Sequence, residues 1–274
     1  MKSSDVKAAA ALPDYDRMAA DFDLFLPLIQ PVGLAVLGHL PKLPEGANVL
    51  DVACGTGEPG LTLARLSPDV HLLGIDSAAG MIEVARRKAA YERLTKARFK
   101  VESAETLSCA DGSMDAVVSR FGLMLFGDTA ASARELARVL RPGGHFSLAV
   151  WDDIAECRLV KTVLEAFGTR LPAELLPPFE RMCAGAAAAR GLLGEAGLSA
   201  VESEVFRWYM EFANQSDLLK FLSGPGLFTR QFAELDETNQ EQVRSEVIGT
   251  LALYLQNDGR YQIPHACRLL WGQR

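Results

Sequence analysis

The chain has little with which to hold a structural metal or close a disulfide framework. Its five cysteines, Cys54, Cys109, Cys157, Cys183 and Cys267, are an odd number without a C-x-x-C spacing. Neither a zinc site nor a disulfide scaffold is expected from them, and the thiols are read as reduced. Histidine is scarce, with only His39, His71, His145 and His265. A basic excess is missing: 28 Lys and Arg stand against 35 Asp and Glu, for a formal net charge of −7. That argues against a nucleic-acid partner, because a phosphate backbone asks for a basic face. Long apolar runs are missing as well. Leu24 to Leu40 is the most apolar stretch, but Pro27 and Pro31 interrupt it and it falls short of a membrane span, so it reads as a buried helix. The opening MKSSDVKAAAALPDYDR lacks a signal-peptide layout, and repeats or low-complexity segments are absent beyond Ala186–Ala189. A cytoplasmic globular protein fits these absences. With 274 residues, 49% of them apolar, the chain is long enough for one large α/β domain or a domain with a cap.

What is present centres on Asn48 to Leu66, NVLDVACGTGEPGLTLARL. Val49, Leu50, Val52 and Ala53 read as a buried strand with Asp51 set inside it. Cys54-Gly55-Thr56-Gly57 reads as a sharp turn, and Leu61, Leu63, Ala64 and Leu66 as the apolar side of a helix. Glycines there let bare backbone N–H groups approach a ligand, and a strand, glycine turn and helix start together suit a nucleotide-like molecule. Gly55-x-Gly57-x-x-Gly60 satisfies the dinucleotide pattern, and Asp76 follows 19 residues after Gly57, where a ribose-binding acid belongs. An NAD(P)-dependent oxidoreductase is therefore one reading. Asp51 inside the strand, and Glu58-Pro59 opening the helix, point away from it.

Along the chain, two helical pieces are expected between Pro13 and Leu40, with Tyr15, Met18, Ala19, Phe22 and Phe25 on one stripe. Strands are expected at 70–75, 98–101, 115–119 and 145–151, and helices at 78–91 and 129–140, the latter stopped by Arg141-Pro142-Gly143-Gly144. Alternation at this spacing predicts an α/β fold, a doubly wound Rossmann-like, mostly parallel sheet. Beyond Trp151 a helix near 157–167 leads to a segment with Pro172, Pro177 and Pro178. Strands near 201–212 and 266–271 close the chain, separated by apolar residues including Leu218, Leu219, Phe221, Leu222, Leu227 and Phe228 and by a helix from about 237 to 255. An exposed face that apolar would be a liability, so the insertion at about 214–260 is read as a helical substrate lid, with a homodimer surface as the alternative. The expected organisation is an N-terminal helical segment (1–45, with 1–11 a loose tail), a cofactor-binding core (46–152), and the rest of the sheet with its lid (153–274).

DVACGTGEPG resembles the first motif of class I S-adenosylmethionine (SAM)-dependent methyltransferases, near the quinone-methylating and small-molecule "type 11" group. The resemblance continues through Gly74–Ala89, Ser103–Phe126 and Arg141–Phe146, so it covers roughly residues 47 to 151 in order and register. It implies a last strand running antiparallel, SAM as cofactor, S-adenosylhomocysteine as product, and methyl transfer to a small, largely apolar or aromatic molecule at O, N or C. The alternatives are a protein of this fold that cyclises or merely binds its ligand, and the oxidoreductase. No metal is implied.

The resemblance also places residues. Asp76 would accept both ribose hydroxyls, Gly55 and Gly57 would bring backbone to the ligand, and Asp51 would hold the loop. Met81 would pack on the adenine or else belong to the core. Ser103, Ala104 and Glu105 stand where the family has Asp-Ala-Glu, so a hydroxyl replaces the carboxylate that receives the adenine amino group. Tyr15 would reach the methionine end or simply pack. Arg120 would bind the methionine carboxylate, a substrate anion or a surface acid. In-line displacement can proceed by positioning and desolvation. No catalytic base is therefore required by the pattern. His39, near the expected cofactor entrance, is the one histidine to consider for that role, since His71 and His145 open core strands.

Overall fold

A computed structural model describes residues 14–171, 186–223 and 228–274. The expected tail, the Pro172, Pro177 and Pro178 segment and Leu227 lie outside the described residues.

The chain enters through α1 (Tyr15–Met18) and α2 (Leu26–Gly38). The sheet then forms from β1 (Asn48–Val52), β2 (His71–Asp76), β3 (Ala97–Val101), β4 (Met114–Arg120) and β5 (Leu140–Trp151), with α3 (Gly60–Leu66), α4 (Ala79–Tyr91) and α5 (Thr129–Val139) between them. After α6 (Arg158–Phe167) and α7 (Ala186–Glu195) come β6 (Ser199–Phe212), then α8 (Gln215–Ser223), α9 (Thr229–Ala233), α10 (Glu237–Leu251) and β7 (Tyr261–Gln273). Spatially the order is β3-β2-β1-β4-β5-β7-β6. The first five strands are parallel and β7 runs antiparallel to both its neighbours, as expected. The order reverses between β1 and β4, and in an open α/β sheet that switch point, at the carboxyl ends of the strands, is where ligands bind.

Both faces of the sheet are covered, which is why β1 is a near-continuous apolar run. Val49 packs with Leu28, Val32 and Val36 of α2 and with Leu159 and Val163 of α6. Leu50 and Val52 turn the other way, into Ala133 and Leu136 of α5. Helix starts carry their own acceptors: Asp128 receives the Ala131 amide at 2.8 Å and Asp236 the Asn239 amide at 2.8 Å. Such caps each stabilise by about 1 kcal/mol. No helix among the described residues is long and apolar enough to cross a membrane.

The structure corrects several expectations of extent. The 24–40 stretch is not buried all round. Leu28, Val32, Gly33 and Val36 form its inner stripe, while Leu24 is 69% and Leu34 49% exposed. The Arg141–Gly144 stop is not a clean break between helix and strand. Leu140 already pairs with Met114 and His145 with Ala116, so the intervening residues bulge out of one long strand, with Gly143 at φ +73°. Helix α10 ends at Leu251 and continues as a short 3-10 turn, Ala252–Tyr254.

β7 begins at Tyr261 rather than near Ala266. Pro264 hides this in the sequence, because proline cannot donate to a ladder on both sides. Here it need not. β5 pairs with β7 only from Cys267 onward, so Tyr261–Ala266 faces β6 alone. The result is a two-stranded ribbon, with Trp208, Met210 and Phe212 paired to His265, Ile263 and Tyr261, that projects beyond Trp151 over the carboxyl edge of the sheet. Trp208 ties this ribbon to α2 by donating Nε1–H to the Leu28 carbonyl at 2.8 Å.

Candidate active site

At the switch point, Val52 ends β1 and the chain turns through Ala53 (φ +55°), Gly55 (φ +54°) and Gly57 (φ +103°). A left-handed backbone at Ala53 carries strain of the kind that gathers at ligand sites. Gly57 is sterically required: a Cβ there would stand 2.6 Å from Leu61 Cδ1. The turn is pinned by Cys54 N–H to the Ile75 carbonyl and Gly57 N–H to the Cys54 carbonyl, both at 2.9 Å.

Two acids organise the loop from different sides. Asp76 closes β2 and accepts the Gly55 amide on one oxygen and the Ala78 amide on the other, each at 2.9 Å. Burial raises its pKa above the usual carboxylate range, and those two amides act against the rise. Asp51 is fully buried within β1. One of its oxygens accepts the Gly60 amide at 2.8 Å, while the other has no partner among the described residues. Burial pushes its pKa up to about 7, opposed by the Gly60 amide and the charge of Arg120. Gly60 admits no side chain, since a Cβ would lie 2.8 Å from that same carboxylate oxygen.

A cavity of about 560 Å³ opens above the strand ends. Of the residues singled out from the sequence, Tyr15, Gly55, Asp76, Met81, Ser103, Ala104, Glu105 and Arg120 line it together. Asp51 and Gly57 do not; they support the loop from behind. Met81 lines the cavity and also packs with Met18, Ala19 and Ala78. Tyr15 is half-buried in the same cluster, and burial, with Asp76 nearby, raises its phenol pKa and keeps it neutral. Ser103 accepts the Glu105 amide at 3.2 Å, and Glu105 in turn accepts the Asp128 amide at 2.9 Å. Segment 14–25 roofs this end. Asp16 accepts the Gly80 amide at 2.6 Å, and Asp23 accepts from Thr56 Oγ1 at 2.5 Å and pairs with Lys88 at 3.0 Å.

Arg120 ends β4. Its guanidinium makes one long contact, Nη1 to the Ile29 carbonyl at 3.5 Å. Among the described residues no carboxylate lies within ion-pair distance of it, so the surface-acid expectation is not met. Burial lowers its pKa to about 10, and it stays cationic at neutral pH.

His39 is placed elsewhere than expected. It stacks on Trp271 at 3.9 Å and pairs with Glu204 at 3.0 Å, and it does not line the cavity. The reason is helical length. Phe25 and Ile29 enter the cavity from the start of α2, and at 1.5 Å per residue His39 lies roughly 15–20 Å further along.

The sequence reading placed Phe25 on the N-terminal stripe and Phe221 in the lid insertion, but did not bring Trp151, Val160 or Met210 to the apolar end of the cavity. Phe25, Phe121, Trp151, Val160, Met210 and Phe221 come from six separate stretches of the chain and meet there. Phe121, itself at φ +64°, stacks on Trp151 at 4.3 Å and 7°, and Phe25 meets Phe221 edge-on at 5.3 Å.

Behind this wall lies His265, 1% exposed between Trp151 and Trp208 at 6.4 and 5.6 Å. Nδ1 is 3.3 Å from the Ile263 carbonyl and Nε2 has no partner among the described residues. Burial lowers its pKa from 6.5 to about 4. The unfolded chain therefore takes the proton first. The stability from a neutral His265 is complete above pH 6.5 and is lost as pH falls toward 4. Replacing His265 by Gln is expected to gain about 2–3 kcal/mol relative to wild type between pH 7 and 4.5. Urea unfolding at both pH values measures this, and a pH-independent difference would show that the ring is not buried neutral.

Residues 49–144 match the family model described as "Methyltransferase domain". Over 112 residues the chain is 38% identical to the demethylmenaquinone methyltransferase of Deinococcus radiodurans, a match covering 41% of this chain and 44% of that protein. The chain thus matches less than half the length of that curated relative. Among solved structures, the YcgJ protein of Bacillus subtilis superposes with a TM-score of 0.58 at 19% identity, covering 89% of this chain and 98% of that one. A Haemonchus contortus phosphoethanolamine N-methyltransferase solved in complex with SAM gives 0.58 at 15% identity, covering 93% of this chain and 57% of that one. At such identities the structural likeness speaks for the fold. The sheet order and the glycine turn agree with that match, so residues 49–144 form a methyltransferase domain.

Proposed function

We propose that the protein is a SAM-dependent methyltransferase acting on a small aromatic molecule. The observation that carries this reading is one continuous cavity with two unlike ends. Asp76, Gly55, Met81 and Ser103–Glu105 gather at one end, and aromatic side chains at the other.

The residues present fit the cofactor. Asp76 keeps lone pairs free for two ribose hydroxyls after accepting its two amides, since a carboxylate has about four acceptor sites. Met81 and the Ala104 backbone would flank the adenine, with the Ser103 hydroxyl as an uncharged acceptor. Bound SAM supplies an electrophilic methyl group on a cationic sulfur. The chain's part is to align an acceptor atom in line with that methyl and to keep water out. Segment 14–25 closes the polar end, and α8, through Phe221, closes the apolar one. Residues 214–260 serve in this reading as the substrate lid on a core of 46–152.

No histidine or lysine is among the described lining residues, and Glu102 and Glu105 are bonded to Ser108 and Asp128. The acceleration then comes from positioning and desolvation, with no protein base assigned. Calorimetric titration with SAM, S-adenosylhomocysteine and NAD in parallel tests the reading. Binding of the first two is expected. NAD binding alone would return the chain to the oxidoreductases.

A further inference from the structure

Arg120 lines both this cavity and a smaller neighbouring pocket that it shares with Gly33, Glu58 and Pro59, and among the described residues it has no ion-pair partner. Arg120 presents five donors and uses one, on a carbonyl 3.5 Å away. A cation withdrawn from water is costly unless it is paired, and the acids near it make their hydrogen bonds to other groups, one oxygen of Asp51 having no partner among the described residues. Asp51 accepts from the Gly60 amide, Glu58 from Thr62 and Arg65, and Asp23 from Thr56 and Lys88. These acids support the charge of Arg120 without touching it. Space has also been kept for the head group. Gly33 of α2 faces it, and a Cβ there would stand 3.3 Å from Nη1.

Position indicates whose anion would fill the gap. The nucleoside features sit on β2 and just after β3, on one side of the switch point, with Asp76 the ribose acid. Arg120 is on β4, on the other side. It precedes Phe121, whose ring stacks on Trp151 of β5, and its guanidinium touches the carbonyl of Ile29, one turn along α2 from Phe25. With strands about 4.8 Å apart, two strand spacings put the two backbones roughly 10 Å apart. A cavity lined by both a guanidinium and flat aromatic side chains suits a planar acid. The rings sandwich the hydrocarbon, and the fork of donors takes the carboxylate through two parallel bonds.

We propose that Arg120 seats a carboxylate of the methyl acceptor, so that the substrate class is a small aryl or arylalkenyl acid rather than a neutral aromatic. The proposal rests on the methyltransferase reading only for calling this molecule the acceptor; the anion seat itself can be measured by binding alone.

The experiment is calorimetric titration of the full chain, saturated with S-adenosylhomocysteine, with benzoate, 4-hydroxycinnamate and 2-naphthoate and with their methyl esters. Wild type is expected to hold at least one acid 10-fold or more tighter than its ester. In Arg120→Gln that ratio should fall to near one, and Arg120→Lys should restore part of it. Affinity for S-adenosylhomocysteine, titrated separately, should stay within about 3-fold in both variants, which also shows that they are folded. Three results would overturn the proposal: acids binding no tighter than esters in wild type, an acid preference that survives in Arg120→Gln, or a 10-fold loss of S-adenosylhomocysteine affinity in Arg120→Gln. The last would assign the guanidinium to the cofactor's own carboxylate. Failure of wild type to bind SAM or S-adenosylhomocysteine strikes instead at the methyltransferase reading, and the titrations repeated without them then judge the anion seat.

Discussion

Asp76→Ala is expected to weaken S-adenosylhomocysteine binding by at least ~100-fold, because hydrogen bonds to a charged group contribute about 1.5–3 kcal/mol each and two are lost. A second effect adds to the first. In the free protein Asp76 receives the Gly55 and Ala78 amides. Alanine leaves both without their partner, at the turn that must bring backbone to the ligand and at the entry to α4. The loss is thus one of ligand contacts and of the loop's shape together. Asp76→Asn separates them, because its side-chain oxygen can keep one amide while losing the charge, and its affinity should fall between the two. Calorimetry reads the affinity, and thermal unfolding confirms that each variant is folded. Retention of affinity within 3-fold in Asp76→Ala would show that the ligand is not a ribose-containing cofactor held at β2.

The second large effect is expected at Gly122. A Cβ there would lie 2.6 Å from Ala53 Cβ, 2.6 Å from Ser119 Oγ and 3.2 Å from the Val52 carbonyl. Carbon atoms pack at about 3.5–4.0 Å, so Gly122→Ala must push apart the two loops that leave β1 and β4. Neither neighbour has slack. Ala53 and Phe121 already hold positive φ, and Ser119 Oγ donates to the Val52 carbonyl at 2.7 Å. Overpacking of a rigid contact costs about 3 kcal/mol, at the upper part of the usual range. In a chain of this length that lowers Tm by roughly 6–12 °C. Because the two loops form the cavity floor, Phe121 would also shift from Trp151 and binding at the aromatic end should fall. A Tm within 2 °C of wild type would mean that the loops are looser than their spacing implies.

Much of the fold and half of the site were legible in the sequence because they depend on local rules. A strand, a glycine turn and a helix occupy adjacent residues. Asp51 and Asp76 act on amides of that same turn, Gly60 and Gly55. Backbone conformation leaves a residue-level mark, so the glycines announced the loop and the alternation of elements announced the sheet. Pro264 shows the complementary case: whether a strand position needs a donor depends on which strand lies beside it.

The sequence by itself thus determined the parallel α/β core, its switch-point loop and the acids that hold it. Each follows from chain geometry over a few residues. Tertiary structure alone decided the rest. It carried His39 to the far end of α2, left Arg120 without an ion-pair partner among the described residues, and drew Phe25, Trp151, Met210 and Phe221 into one cavity across nearly two hundred residues of chain. Those outcomes depend on helix length, strand order and the overhang of β6 and β7, and an isolated stretch of residues records none of them.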